Sequence, residues 1–356
     1  MKSWKLWVGV LGLVALLGGG WGALAWVAID LPAPLAELIH LPERLLTRWI
    51  PPRGGRLDGL TAEEQQAVRA LARRLDARIV WSSNRGGNHD LYLLDLSTLA
   101  IRRLTTHPHV DFFSRFSPDG TRIVFLRSRR PWVSFREEDA WDVYLLNLET
   151  GEERLLAEHG YHPTWTADGG AILFHRGMRV FRLDLADGRE EVIFDAKRAI
   201  RGVSAAGDFE LSADGTRLAM GIRGPFDGAA VWDLERRVLI PLTTVQACQT
   251  TWDPADGAVL WVAAEGRGGT RIMRAAAPGA REEVFMDLPG RHSHEYFPKL
   301  SNDGRWLVWG ATDQGHEHDR APYEIFLWEA GTPWETAVRL TYHTGNDQWP
   351  DLFVGR

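Results

Sequence analysis

Apolar and polar positions alternate in short runs from Ile79 to the end of the chain, and a recurring turn separates the runs. The turn is an Asp-Gly pair, usually preceded by Ser or Thr. Asp can bond the backbone ahead of it and Gly can take a positive φ, so each pair predicts a tight hairpin turn. Its glycines are Gly120, Gly169, Gly215, Gly257 and Gly304. A strand is predicted after each turn, at Arg122–Leu126, Ile172–Phe174, Leu218–Ile222, Val259–Val262 and Trp306–Trp309.

The spacing of these turns predicts the architecture. Successive turns are 42 to 49 residues apart, and each period holds four strands, here called A to D, with the Asp-Gly turn joining A to B. Four strands in such a period are typical of a β-propeller blade. The first unit, Ile79 to Thr105, lacks strand A, and the tail Trp349–Phe353 matches a strand A that stands alone. The sequence therefore predicts an all-β fold, a six-bladed β-propeller over residues 78–356 that the C-terminal strand closes, leaving no open sheet edge.

The N-terminal 30 residues predict export. The segment from Leu6 to Ile29 is uncharged and follows Lys2 and Lys5, and its length suffices for a helix that crosses a hydrocarbon core of roughly 30 Å. Residues 1–30 are predicted to be a transmembrane signal anchor in the inner membrane. The alternative is a cleaved signal peptide with its cleavage site at Ala23-Leu24-Ala25. Both alternatives place the rest of the chain in the periplasm or outside the cytoplasm.

Residues 31–77 are predicted to be a short helical connector. Prolines divide it into pieces with apolar stripes at helical spacing, which could lie on the membrane or pack against the following domain. Thr61 and Glu64 have the spacing of a capping box, and Val68, Leu71 and Leu75 continue an apolar stripe. A helix is therefore predicted from Thr61 to Asp76.

The repeat itself resembles a known family. The string from Arg115 to Phe125, RFSPDGTRIVF, together with Asp142-Val143-Tyr144 and the Arg-Leu-Thr ending, resembles the TolB-like propeller repeats of bacterial envelope proteins. The resemblance implies an exported propeller that binds something. TolB itself carries an α/β domain ahead of its propeller, and the connector here is too short to be one. The docking of TolB to the peptidoglycan-associated lipoprotein is therefore not carried over to this sequence.

Composition narrows the function classes. With 41 basic and 47 acidic residues the net charge is -6, so nucleic acid is not an expected partner. Cys248 is the single cysteine, which excludes an intramolecular disulfide. A Gly-x-Ser-x-Gly elbow and a phosphate-binding loop ending in Gly-Lys are both missing from the sequence.

The histidines suggest where chemistry could lie. Eleven of the twelve fall in the propeller, all in D-to-A or B-to-C connections or the adjoining strand ends, and propeller geometry places those connections on one face. We call this the histidine face. The opposite face, formed by the A-to-B and C-to-D connections, is the turn face.

A candidate site follows in the sector of blades 5, 6 and 1. Asp111, Glu295 and Asp347 occupy equivalent positions, three residues before a proline or its Ser114 counterpart, and are expected to ring the mouth of the central channel. The predicted binding residues are His292, His294, Glu295, His316, His318, Asp319, His343, Asp347 and Asp111.

Two functions remain open from the sequence. One is a membrane-anchored binding scaffold for an envelope protein or small ligand. The other is a metal-dependent propeller enzyme, a lyase or hydrolase on acidic glycans, for which the oligogalacturonate lyases are a fold-level analogy. A His-x-His pair in an extended segment puts both imidazoles on one side, so a divalent metal could be held by His292, His294, His316 and His318.

Overall fold

The computed structural model describes residues 59–264, 269–314, 318–319, 321–342 and 345–355. In this part of the chain, 24 strands form six four-stranded antiparallel sheets, one for each predicted blade. Blade 1 contains β24 (Asp347–Val354), β1 (Ala77–Ser83), β2 (Asp90–Asp95) and β3 (Ala100–Arg103). Blade 2 contains β4 (Asp111–Phe116), β5 (Arg122–Ser128), β6 (Trp141–Asn147) and β7 (Glu153–Ala157). Blade 3 contains β8 (Tyr161–Trp165), β9 (Ala171–Arg176), β10 (Arg179–Asp184) and β11 (Glu190–Asp195).

The other three blades repeat this order. Blade 4 contains β12 (Ala205–Leu211), β13 (Arg217–Arg223), β14 (Gly228–Asp233) and β15 (Val238–Thr243). Blade 5 contains β16 (Ala247–Trp252), β17 (Val259–Ala263), β18 (Arg271–Ala275) and β19 (Glu282–Met286). Blade 6 contains β20 (His294–Leu300), β21 (Trp306–Thr312), β22 (Glu324–Glu329) and β23 (Val338–Arg339). The prediction of an all-β six-bladed propeller is confirmed.

The ring closes as predicted. Strand β24 pairs antiparallel with β1, in a register that sets Ile79 opposite Leu352. Trp349 and Leu352 are buried in this blade. The first and last segments of the domain therefore share one sheet, which leaves no open edge at the junction.

The predicted turn chemistry is present at the A-to-B connections. In blade 2, Asp119 accepts hydrogen bonds from the Thr121 amide at 3.0 Å and from the Ser117 hydroxyl. Gly120 has a φ of +69°, which a residue with a Cβ rarely adopts. Asp214 and Asp303 make the same contacts in blades 4 and 6.

A helix packs against the ring at the seam of blades 6 and 1. Helix α1 (Ala62–Ala72) begins at Thr61 with the predicted capping box, in which Glu64 and Thr61 exchange side-chain bonds. It ends four residues before the predicted Asp76, although Leu75 still reaches the same apolar cluster as Val68 and Leu71. That cluster includes residues of blades 1 and 6. Elsewhere in the described part of the chain, the helical segments are α2 (Ala196–Ala199) and two 3-10 turns, Glu138–Ala140 and Trp334–Thr336.

Every strand A carries a β-bulge at the same place. The register of each A-to-B strand pair shifts there. One non-glycine residue per bulge has a φ between 52° and 60°. Such a conformation costs of order 1 to 3 kcal/mol and persists only where the surrounding structure holds it. The six residues, which we call the bulge ring, are Phe113, His162, Asp208, Gln249, Phe297 and Trp349.

Within the described residues, no helix is long and apolar enough to cross a membrane. The predicted anchor at residues 1–30 and most of the connector at 31–77 lie outside the described part of the chain.

Candidate functional site

The bulge ring closes the central channel. Trp349 lies 4.1 Å from both Phe113 and Phe297, measured between ring centroids. Phe113 also contacts the ring of His162 at 4.3 Å. On the other side, Asp208 accepts a bond from the Gln249 amide at 2.8 Å, and the Gln249 side chain accepts one from the Phe297 amide at 2.6 Å. The ring therefore joins all six blades by direct contacts.

Blade 3 contains two buried histidines, His162 of the bulge ring and His175 of β9, and both are neutral. Burial holds the pKa of His162 well below its usual range, and the nearby Arg115 guanidinium lowers it further. Burial also lowers the pKa of His175 to about 4. His162 Nε2 lies 3.7 Å from Asp208 Oδ1. Since the imidazole is neutral, this contact is not an ion pair.

A loop covers the channel on the histidine face. This plug loop, residues 129–140, is the B-to-C connection of blade 2. Its Phe135 ring lies 4.9 Å from His318 and 6.2 Å from Trp349. The Tyr161 hydroxyl donates to the Phe135 carbonyl at 2.6 Å.

His318 and Asp319 hold the plug loop. The His318 ring packs 4.5 Å from Tyr296 and 5.1 Å from Phe297. Asp319 accepts hydrogen bonds from the Ser134 hydroxyl at 2.7 Å and from the Phe135 amide at 3.3 Å. These two predicted binding residues therefore join blade 6 to blade 2 across the channel mouth.

The three equivalent carboxylates lie inside the protein and are held by internal partners; that they ring the channel mouth stays a prediction. Asp111, Glu295 and Asp347 are all fully buried. Asp111 makes a bidentate pair with Arg127, at 2.7 and 2.8 Å. Asp347 accepts from Arg85 at 2.7 Å and from the Trp81 indole at 3.0 Å. Buried carboxylates need such partners, and here arginines of the same blade supply them.

Among the described residues, no arginine forms an ion pair with Glu295, which is held differently. Its Oε1 accepts from the Leu288 amide at 2.6 Å. Burial raises the pKa of this carboxyl from an ordinary 4.5 to about 8. With this pKa, the Glu295 carboxyl is mostly protonated at pH 7 in the metal-free chain.

The remaining predicted residues lie nearer the surface. The half-buried His292 ring packs on Phe326 at 5.4 Å, and His294 is half-buried at the start of β20. His316 and His343 lie outside the described residues. No group of three or more His, Cys, Asp or Glu side chains within the described ranges could hold a metal ion.

A second set of residues, not predicted from the sequence, lines a cavity on the turn face. The cavity has a volume of about 410 Å³, within the range of small-molecule sites. Each blade contributes the residue two positions after its bulge. These six residues, which we call the polar ring, are Arg115, Thr164, Glu210, Thr251, Lys299 and Asp351. Four of them, Arg115, Thr164, Glu210 and Lys299, lie two positions before the Ser or Thr that begins the turn of their blade, and could have been found from the sequence.

Comparison with known proteins agrees with this geometry. No family model matches the sequence. A TolB homologue from Chlorobaculum tepidum is 28% identical over 119 residues, which are 32% of this chain and 26% of that protein. TolB from Acinetobacter baumannii has a TM-score of 0.57 and 16% identity, over 78% of this chain and 66% of that one. A putative TolB from Agrobacterium tumefaciens has a TM-score of 0.57 and 15% identity, over 79% of this chain and 99% of that one.

The domain has the β-propeller fold that TolB also has. The likeness to the solved structures concerns the fold, because their sequence identity is low. The chain spans about a quarter of the length of the curated relative that it matches. A shared fold does not by itself imply a shared function, so the residues of this chain decide where its site lies.

Proposed function

We propose that this chain is an exported, membrane-anchored scaffold of the bacterial envelope, which binds a partner on its histidine face. The observation that carries the proposal is that the loops of this face are fastened to one another across blades over a closed channel. A surface of that kind suits docking better than catalysis, because catalysis needs a concave site with reactive groups free to meet a substrate.

The contacts between loops support a preorganised surface. Asp319 of blade 6 bonds the plug loop of blade 2. Asn346 donates through its amide group to the His318 carbonyl at 3.0 Å, and its backbone amide donates to the Asn84 side chain at 2.8 Å. Loops held in this way lose little conformational freedom when a partner binds, which favours affinity.

The metal-dependent enzyme is the weaker alternative. The described histidines of its proposed ligand set lie in different surroundings, since His292 packs on Phe326 of β22 whereas His318 packs over the channel. The neighbouring carboxylates Asp111 and Asp347 are already paired with arginines. These carboxylates could ligate a metal only by breaking their buried pairs, at a cost of several kcal/mol.

The envelope location is part of the proposal. Its support is the uncharged segment from Leu6 to Ile29 behind Lys2 and Lys5, which the positive-inside rule orients with the propeller outside the cytoplasm. The TolB-like fold agrees with such a location.

A capture experiment with matched variants tests the function. The full chain, the double variant His292→Ala/His294→Ala and the control Arg189→Ala, which alters an exposed side chain on the turn face, are each used to capture proteins from solubilised envelopes. We expect at least one protein that the full chain and the control enrich and the double variant does not. Metal bound at one ion per chain and lost in the double variant would instead support the enzyme.

A further inference from the structure

The turn-face cavity is lined by a ring of polar side chains with balanced charge. Arg115 and Lys299 are the cations of this ring, and Glu210 and Asp351 are its anions. The rest of the cavity lining adds one cation, Arg217, and two anions, Asp214 and Asp253. Blade order around the channel sets Arg115 and Thr164 side by side, between Asp351 and Glu210. The cavity lies at the opposite end of the channel from the histidine face. A ligand in the cavity therefore does not require a partner on the histidine face.

Most side chains of the polar ring have hydrogen-bond or ion-pair partners within the protein. The Lys299 ammonium group pairs with Glu210 and donates to the Thr251 hydroxyl at 2.9 Å. The Thr251 hydroxyl donates in turn to Glu210 at 3.1 Å. Asp351 accepts a bond from the Phe116 amide at 2.7 Å. Blades 4, 5 and 6 therefore supply partners for one another, and blade 2 supplies a partner for Asp351 of blade 1.

Arg115 is the exception. Its side chain is buried, with 6% of the residue exposed, and its guanidinium lies 4.8 Å from the Phe113 ring centroid. Nη1 donates to the carbonyls of Ser114 at 2.8 Å and Pro350 at 3.4 Å. The buried Nε has no acceptor among the described residues. None of the described carboxylates lies within ion-pair distance of the guanidinium, although Asp351, Glu210 and Asp208 attract its charge from farther away.

Thr164, the neighbour of Arg115 in the ring, is also unsatisfied. Its hydroxyl is buried and has no hydrogen-bond partner in the described structure. Buried donor groups that lack an acceptor, such as Arg115 Nε and the Thr164 hydroxyl, are costly, and native proteins rarely retain them without a reason. Here two such groups line the same wall of one cavity.

The free groups define the chemistry of the missing partner. The Nε edge of a guanidinium matches the two oxygens of a carboxylate in a bidentate pair. Glu210 and Asp351 stand on either side, and like charges repel a ligand that carries several negative charges. A single carboxylate fits the wall better than a phosphate or a polyanion.

We propose that the turn-face cavity is a binding site for a carboxylate group, held by the Arg115 guanidinium and the Thr164 hydroxyl. The carboxylate belongs to a small organic acid or to the C terminus of a peptide, since both present the same group and the cavity opens to solvent on the turn face.

Two pairs of probes test the site and separate these sources. The full chain is titrated with N-acetylglycine and with its amide, and then with a hexapeptide whose C terminus is free or amidated, while ligand-observed NMR follows binding. We expect at least one free acid to bind with a dissociation constant of about 1 mM or tighter, and its amide about tenfold more weakly or worse. Binding of N-acetylglycine alone identifies a small acid, and tighter binding of the peptide identifies a C terminus.

Variants assign the binding to the cavity. Arg115→Gln should reduce affinity for the free acid at least about tenfold and Thr164→Val by a smaller factor, whereas Arg189→Gln, on the same face but outside the cavity, should leave it unchanged. Thr164→Val keeps the shape of the side chain and covers the case in which Arg115→Gln fails to fold. Equal binding of acids and amides, no binding of either acid at about 10 mM, or acid binding that survives the cavity variants would overturn the proposal.

Discussion

Asp111 was predicted to be a binding residue, but in the structure it pairs with Arg127 and stabilises the fold. Both are buried, and two hydrogen bonds join them. Replacing Asp111 with Asn keeps the shape but leaves Glu153 as the one carboxylate that pairs with the buried Arg127 cation among the described residues. We expect Asp111→Asn to lower the free energy of unfolding by about 3 kcal/mol, measured by urea denaturation.

The control for this prediction is an exposed pair of the same chemistry. Arg305 reaches Glu329 at 3.3 Å on the surface, so Arg305→Gln should cost less than about 1 kcal/mol. If Asp111→Asn is as stable as the parent, the pair is not structural, and Asp111 returns as a candidate binding residue.

Glu295 gives a prediction about pH. Its pKa is about 8 in the folded chain against an ordinary 4.5. Between these values the folded state holds a proton that the unfolded state has lost, so stability from this residue is full at low pH and falls as the pH rises toward 8. Glu295→Gln has no such proton. We expect its melting temperature to change less than that of the parent between about pH 5 and pH 8.

An exposed glutamate serves as the comparison. Glu283→Gln should track the parent across the same pH range, because its side chain is 64% exposed. Parallel curves for the parent and Glu295→Gln would show that Glu295 is ionised in the folded chain.

Strand β24 carries the closure of the propeller, at the scale of one element. Ending the chain at Gln348 removes Trp349, Leu352 and Asp351, and exposes the edge of β1. Each large buried side chain contributes roughly 1.5 to 3 kcal/mol. The truncated chain should aggregate or melt far below the parent, as scanning calorimetry would show, whereas a chain ending at Gly355 should not. An unchanged melting temperature would mean that the ring closes without β24.

The strands were predictable because the same local sequence pattern recurs in each blade. An Asp-Gly turn followed by alternating apolar residues is recognisable in five separate places, and the capping box at Thr61 and Glu64 marked the start of α1. The end of α1 was predicted too late, because Leu75 continues the apolar stripe although the helix ends at Ala72.

The bulge ring was not predictable in the same way. Its members include Phe113, His162, Asp208 and Gln249, which share a position but no chemistry. Their positive φ angles follow from the ring that they complete together, not from any local preference. The arginine partners of Asp111 and Asp347 were also not predicted. They are distant in the sequence, since Arg127 is 16 residues from Asp111 and Arg85 is 262 residues from Asp347.

Export is the prediction at the scale of the whole molecule. An alkaline phosphatase fused after Leu60 should be active and sediment with membranes, because the segment from Leu6 to Ile29 follows two lysines. Activity in the soluble periplasmic fraction would instead indicate a cleaved signal peptide. Inactive enzyme in both fractions would contradict export.

The central claim is that a partner docks on the histidine face, and site-directed photo-crosslinking tests it most directly. A photoreactive amino acid is placed in intact cells at Arg291, whose side chain is 81% exposed beside His292, or at the exposed Asn302 on the turn face. We predict a discrete crosslinked product from position 291 that is not formed from position 302. A product formed only from position 302 would contradict the claim and move the docking surface to the turn face.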